Sequence, residues 1–253
     1  MSNLEIKDFN FTDQENRKRR LLRDFKQVAH DLKKTSVLRE KIASSLKGWL
    51  SLKMTKFMQD IGYNGRKIRD FREKRIILNI GCLEVTNDNY VNCDLFPDID
   101  QIFQIMMGKS KIEHDLFIDL SSYDKNLSGA ADAIILSHVL EHLPSIVAIT
   151  AFKNCFAYLK QGGYIRVSVP YLGTYDQPNI PQCQHFENRM LAKNKLIYDY
   201  GHQFMYDAEL LALIMEEAGF SEVKEVAFAK GILGETDLPH CQPESIYLTA
   251  VKA

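Results

Sequence analysis

The period of apolar and polar positions changes once along this chain, near residue 75. Before it, Leu21, Phe25, Val28 and Leu32 recur at helical intervals with Arg and Lys between them. Leu38, Ile42, Leu46, Trp49, Leu50, Met54, Phe57 and Ile61 make a second such stripe. Thr12-Asp13-Gln14-Glu15 has capping-box spacing and marks the first helix start, Thr35 or Ser36 can cap the second, and Gly62 and Gly65 end it. After residue 75, short apolar runs bounded by turn residues alternate with helical patterns. They predict strands near 75–80, 90–94, 115–119, 132–137, 163–169, 222–229 and 246–252, and helices near 143–160 and 206–218. Asp207 caps the last helix and Gly219 stops it, while Gly162-Gly163 turn into the fifth strand and Pro170 closes it. Alternating strands and helices predict an α/β fold: a mostly parallel, seven-stranded sheet with helices on both faces, over residues 75–253. Residues 1–74 form an N-terminal extension of two or three basic amphipathic helices.

Charge sharpens that division. Residues 1–75 carry 20 Lys and Arg against 10 Asp and Glu, a net of +10, and the remainder carries 12 against 23, a net of −11. The basic helices have two readings: attraction to a membrane surface or nucleic acid, or packing against the acidic body or a second copy of the chain. The basic positions are not interleaved with aromatics, so nucleic acid is the lesser expectation. An apolar fraction of 45% and a charged fraction of 26% are those of an ordinary globular protein. No apolar run reaches the length of a membrane span, and the polar N-terminus does not read as a secretory signal. The expected location is cytoplasmic. Five scattered cysteines without CxxC read as reduced thiols. A metal cluster of Cys183, His185, His240 and Cys241 matches no standard zinc spacing.

The chemistry lies at the strand ends. The run Arg75–Ile80 ends on Gly81-Cys82, Tyr90–Cys93 ends on Asp94, and Asp132–Leu136 ends on Ser137-His138. A glycine that admits a ligand's backbone approach, followed by an acid able to bind ribose hydroxyls, suits a nucleotide-like cofactor across the C-terminal edge of an open sheet. In that order, with Asp119-Leu120, Ser137–Leu143, Leu159–Gly163, Tyr200–Asp207 and Ala218-Gly219-Phe220, the chain resembles the class I S-adenosylmethionine-dependent methyltransferases, of Rossmann-like fold. The likeness covers residues 75–253, and its compact first motif is similar to predicted methyltransferases of surface-polysaccharide biosynthesis.

The resemblance implies S-adenosylmethionine as cofactor. Asn79 and Gly81 would face its methionine part, Asp94 its ribose, Asp119 its adenine, and Ser137 and His138 the transferred methyl, with Cys82 and Leu95 also among the cofactor-binding positions. Two positions depart from the pattern. Leu83 stands where the family usually has a second glycine, and only residues 82–89 separate the first two strands, too few for the usual helical crossover. Asn89 can replace a turn glycine there.

Methyl transfer to a hydroxyl needs an aligned acceptor and removal of its proton, for which histidine suits best near neutral pH. His138, His202 and His185 are the catalytic candidates. The segment 170–205, with Tyr171, Tyr175, Asp176, Tyr198 and Tyr200, suits a lid over a sugar or glycan-type acceptor. An alternative groups His138, Glu141, His142 and His202 around a metal. His202-x-Phe204 resembles the histidine segment of small-RNA 3′-terminal ribose methyltransferases, and quinone-biosynthesis O-methyltransferases share a Glu-x-x-Glu-His pattern. With His138 in place of the first Glu, the set suits a softer metal better than magnesium. Three functions follow as expectations: O-methylation of a sugar or glycan hydroxyl, 2′-O-methylation of RNA ribose with a divalent metal, or a non-catalytic scaffold. In the first, the basic helices would hold the enzyme near a membrane carrying the acceptor.

Overall fold

The computed structural model describes residues 11–35, 46–83, 85–109, 111, 113–177 and 188–253. Seven strands form one sheet: β1 (Ile77–Ile80), β2 (Val91–Asp94), β3 (Leu116–Phe117), β4 (Ala131–Ser137), β5 (Leu159–Pro170), β6 (Ser221–Val226) and β7 (Ser245–Val251). Their spatial order is β3-β2-β1-β4-β5-β7-β6. Strands β1 to β5 pair in parallel, while β7 runs antiparallel to both β5 and β6. The order reverses between β1 and β4, which opens a crevice at their C-terminal tips.

All seven expected strands are present, with two local differences. β5 begins at Leu159 and runs through Gly162-Gly163, where a register irregularity against β4 absorbs the glycine pair. The turn expected to start the strand lies inside it. In the β1–β2 connection, Leu83 takes the positive φ (47°), and Asn89 does not. Ten residues join these parallel strands without a helix. They manage it because Gly81 N and Cys82 N both donate to Cys93 O, and because Asn87 and Asn92 exchange side-chain and backbone hydrogen bonds across the turn.

Alternation along the strands sends Leu78, Ile80, Ile134, Leu136, Ile165 and Val167 into one large core. That core is closed by α1 (Phe11–Thr35), α5 (Ser145–Tyr158) and α7 (Ala208–Glu217), the last capped by Asp207 as expected. Two further helices, α2 (Leu46–Asp60) and α3 (Tyr63–Lys67), precede the sheet. Gly65 lies inside α3 instead of ending the preceding helix. A Cβ there would stand 2.8 Å from that of Asn126, so the position demands a small residue. Buried Asn64 acts as an extra strand residue against the short edge β3: it receives the Phe117 amide and donates to the Phe117 carbonyl and to Asp124. Ser51 and Thr55 of α2 bond the backbone of Phe96 just beyond β2. An amphipathic helix α4 (Ile99–Met106) follows, with Asp98 and Gln101 forming a capping box. The remaining helix, α6 (Arg189–Asp199), packs Ala192 and Leu196 on Tyr175.

α1 lies against the acidic body. Phe25 is buried edge-on to Phe204, and Arg17, Lys18 and Lys26 pair with Glu209, Glu216 and Glu217 of α7. The second helix expected from residue 35 onward is present as α2 from Leu46, with Trp49, Met54, Phe57 and Ile61 of its apolar stripe exposed, and its start through Leu38 and Ile42 falls outside the described residues. No helix among the described residues is long and apolar enough to cross a membrane. The four described cysteines are unpaired thiols.

Candidate active site

The opposite face of the central strands carries Ile77, Asn79, Ala133, Ile135 and Arg166. The connection between β6 and β7 covers it, with Leu233 seated on Ile77, Ala133 and Ile135. Arg166 fixes this connection. Its guanidinium holds the Asp237 carboxylate bidentately and donates to the carbonyls of Lys230 and Ile232, and both partners are buried. Asp237 also accepts the Ala229 amide. Between this covered face, the β1–β2 connection and the tips of β1 and β4 lies a cavity of about 670 Å³. Such a volume suits a cofactor together with part of an acceptor.

The cavity gathers Asn79, Gly81, Cys82, Ser137, His138 and His202 from the expected site, together with His142. Asp94, Leu95 and Asp119 do not line it. Asp94 accepts hydrogen bonds from the Leu83 amide (2.8 Å) and the Leu95 amide (2.7 Å), and Asp119 accepts the amide of Ser121 within its own turn. His185 and Cys183 lie outside the described residues. Leu83 lines the cavity but does not plug it, the residue being 70% exposed. Gly81 is dictated by packing as well as by ligand access, because at φ 73° an added Cβ would stand 2.5 Å from Val139. Burial, with Asp94 beside it, pushes the Cys82 thiol up to about 12, so it serves as a neutral wall.

The histidines converge from two segments. His138 sits at φ 55°, a strained conformation for a non-glycine residue, with its amide on Ser168 O. Its Nε2 meets Ser245 Oγ at 2.7 Å, and the Ser245 hydroxyl is donated to Cys241 O. The serine oxygen is therefore the acceptor and Nε2 carries the proton. Nδ1 then faces Glu141 Oε1 at 3.4 Å. The segment 200–204 is pinned to the turn at residues 140–142. Gln203 N and Phe204 N both donate to Glu141 O, and Gln203 Nε2 donates to His142 O. This brings the rings of His142 and His202 to a centroid separation of 4.8 Å, with Tyr200 stacked on His202. Burial, reinforced by neighbouring histidines, lowers His138 and His202 to about 4, and burial lowers His142 as well. Glu141 is completely buried, both its carboxylate oxygens lack a partner, and burial raises it to about 8.

Sequence reasoning missed Tyr90, Glu235, Thr236 and Glu244, all in the cavity wall, and placed His240 and Cys241 in a different cluster. The available signal was the length of the β6–β7 connection. Antiparallel neighbours need only a few residues to turn, and eighteen here mark a working segment.

The methyltransferase domain model matches residues 62–225, more than half the chain. The chain belongs to the methyltransferase domain family. Its sheet has the class I strand order, and S-adenosylmethionine is its cofactor. No curated protein matches the sequence. Similar solved structures include a SAM-dependent methyltransferase from Archaeoglobus fulgidus (18% identity, 78% of this chain and 94% of that one, TM-score 0.44). Others are human N-acetylserotonin methyltransferase in complex with SAM (16%, 86% and 59%, 0.45) and Haemonchus contortus phosphoethanolamine N-methyltransferase 2 (10%, 71% and 49%, 0.43).

Proposed function

We propose that this methyltransferase O-methylates a hydroxyl of an uncharged, polyhydroxylated acceptor of the sugar or glycan type. The observation that carries the reading is the composition of the cavity wall. Asn79, Asn87, Tyr90, Thr236 and His240 offer hydrogen-bonding groups, Glu235 and Glu244 add negative charge, and no Lys or Arg is among the described residues lining it. A phosphate-rich acceptor would meet two carboxylates and no cationic side chain along this wall, which weighs against the many phosphates of an RNA. Asp237 is neutralised by Arg166 and shapes the wall instead of meeting the acceptor.

When bound, S-adenosylmethionine supplies an activated methyl on a sulfonium sulfur. The chain's own part is to position and to deprotonate. Gly81 and Asn79 leave room for the methionine part, and Asp94, at the tip of β2 just outside the cavity wall, retains lone pairs beyond its two amide bonds for ribose hydroxyls that reach past it. Ser137 and His138 border the transferred methyl. The cluster of His138, His142 and His202 is where the acceptor hydroxyl is placed and loses its proton. Tyr175 is spent on structure, its hydroxyl donating to Glu244, whereas Tyr200 remains at the cavity edge.

The test is methyl transfer from labelled S-adenosylmethionine to a panel of phosphate-free glycans and to RNA oligonucleotides, at low and high salt. Transfer to a glycan with little salt dependence is expected. Transfer to RNA that collapses as salt rises would overturn the acceptor assignment.

A further inference from the structure

We propose that Glu141, His142 and His202 form a binding site for one divalent cation of the zinc class, at the end of the cavity. The site deepens the reading above and rests on it for its purpose, since it names the device that draws the proton from the acceptor hydroxyl. One ligand atom from each residue lies within 4.8 Å of the other two. Ligands held 2.0–2.2 Å from a tetrahedral zinc ion stand roughly 3.3–3.6 Å apart, so the three side chains draw together by up to about 1.5 Å to close the shell.

Two features separate this cluster from a chance meeting of polar groups. Glu141 is fully buried, yet neither carboxylate oxygen has a hydrogen-bond partner among the described residues. Buried carboxylates almost always have one, and a cation facing both oxygens supplies it. The two imidazoles are also arranged as metal ligands are. Both rings line the cavity end, and His202 Nδ1 is buried without a hydrogen-bond partner among the described residues. A buried ring nitrogen without a partner is a lone pair that an ion would satisfy.

The scaffold is built before any ion arrives. Glu141 and His142 share one turn, and the bonds from Gln203 and Phe204 to that turn hold His202 opposite them. His138 stays outside the shell: Ser245 occupies its Nε2, and its unprotonated Nδ1 faces Glu141 at 3.4 Å without donating to it. Two imidazoles and one carboxylate favour zinc or a similar borderline metal over magnesium, which prefers an octahedron of oxygens. His142 and His202 line the cavity, so the open coordination positions face the acceptor. A hydroxyl bound there would have a lowered pKa.

The experiment strips the full-length protein with a chelator and titrates it with zinc and then magnesium by calorimetry. S-adenosylhomocysteine affinity, measured in parallel, serves as the check on folding. One zinc per chain is expected, with magnesium at least about 100-fold weaker. Glu141→Gln and His202→Ala should each weaken zinc by about 10- to 100-fold, with S-adenosylhomocysteine affinity within about 3-fold of the parent. Cobalt should give visible absorption bands that Glu141→Gln removes. Zinc binding unchanged by either variant would put the ion elsewhere and overturn the site, as would no zinc binding or a preference for magnesium. Glycan methylation by the stripped protein would sink the site and leave the acceptor assignment standing.

Discussion

At the scale of single residues, the first strand tip shows how one position can serve two demands. Gly81 is forced by Val139 and by its own φ, and the amide two residues on is fastened to Asp94. Leu83 accepts left-handed backbone so that this amide can reach the carboxylate, and the residue stays largely exposed at the cavity's rim. Left-handed backbone costs a non-glycine residue roughly 1–2 kcal/mol, and glycine's extra unfolded entropy about 0.5–1 kcal/mol. Leu83→Gly should therefore be neutral to stabilising by about 1 kcal/mol, with S-adenosylhomocysteine affinity retained. Chemical denaturation and calorimetry check both, and a large loss of either would mean that Leu83 itself contacts the cofactor. Strand-end chemistry picked out Asn79, Gly81, Ser137 and His138, which the fold brings to the cavity wall. It could not show that Asp119 closes its own turn, because carboxylate orientation is set by which amides lie within reach in three dimensions.

At the scale of elements, periodicity located all seven strands, since apolar runs bounded by turn residues survive tertiary context. Pairing partners were less legible. Nothing local announces that Asn64 completes the β3 edge or that Gly65 must yield to Asn126. The charge asymmetry likewise pointed to a separate arm without showing its seat on α7. That seat rests on Phe25, whereas Arg17, Lys18 and Lys26 form ion pairs with half-exposed side chains. Exposed pairs contribute little, and a buried phenylalanine truncated to alanine costs about 3 kcal/mol or more. Phe25→Ala should then destabilise the protein more than the combined alanine replacement of all three basic residues. Urea denaturation of both variants decides it, and the reverse ranking would make the docking electrostatic.

At the scale of the whole molecule, the sheet has a helical face and a working face. Arg166 in β5 joins the second to the β6–β7 connection and so ties the acceptor wall to the core. Arg166→Met strands the buried Asp237 charge and should cost about 3–5 kcal/mol, with Arg166→Lys in between because it keeps the charge but loses the fork. Thermal denaturation measures the ranking, and a Met variant as stable as the parent would contradict the clamp. All of this organisation serves one claim, that the cofactor rests across the tips of β1, β2 and β4. A crystal structure of the complex with S-adenosylhomocysteine tests it most directly. The account predicts the ribose hydroxyls on Asp94 and the sulfur directed at Ser137 and His138. A ligand seated away from Gly81, with Asp94 making no bond to the ribose, would contradict it.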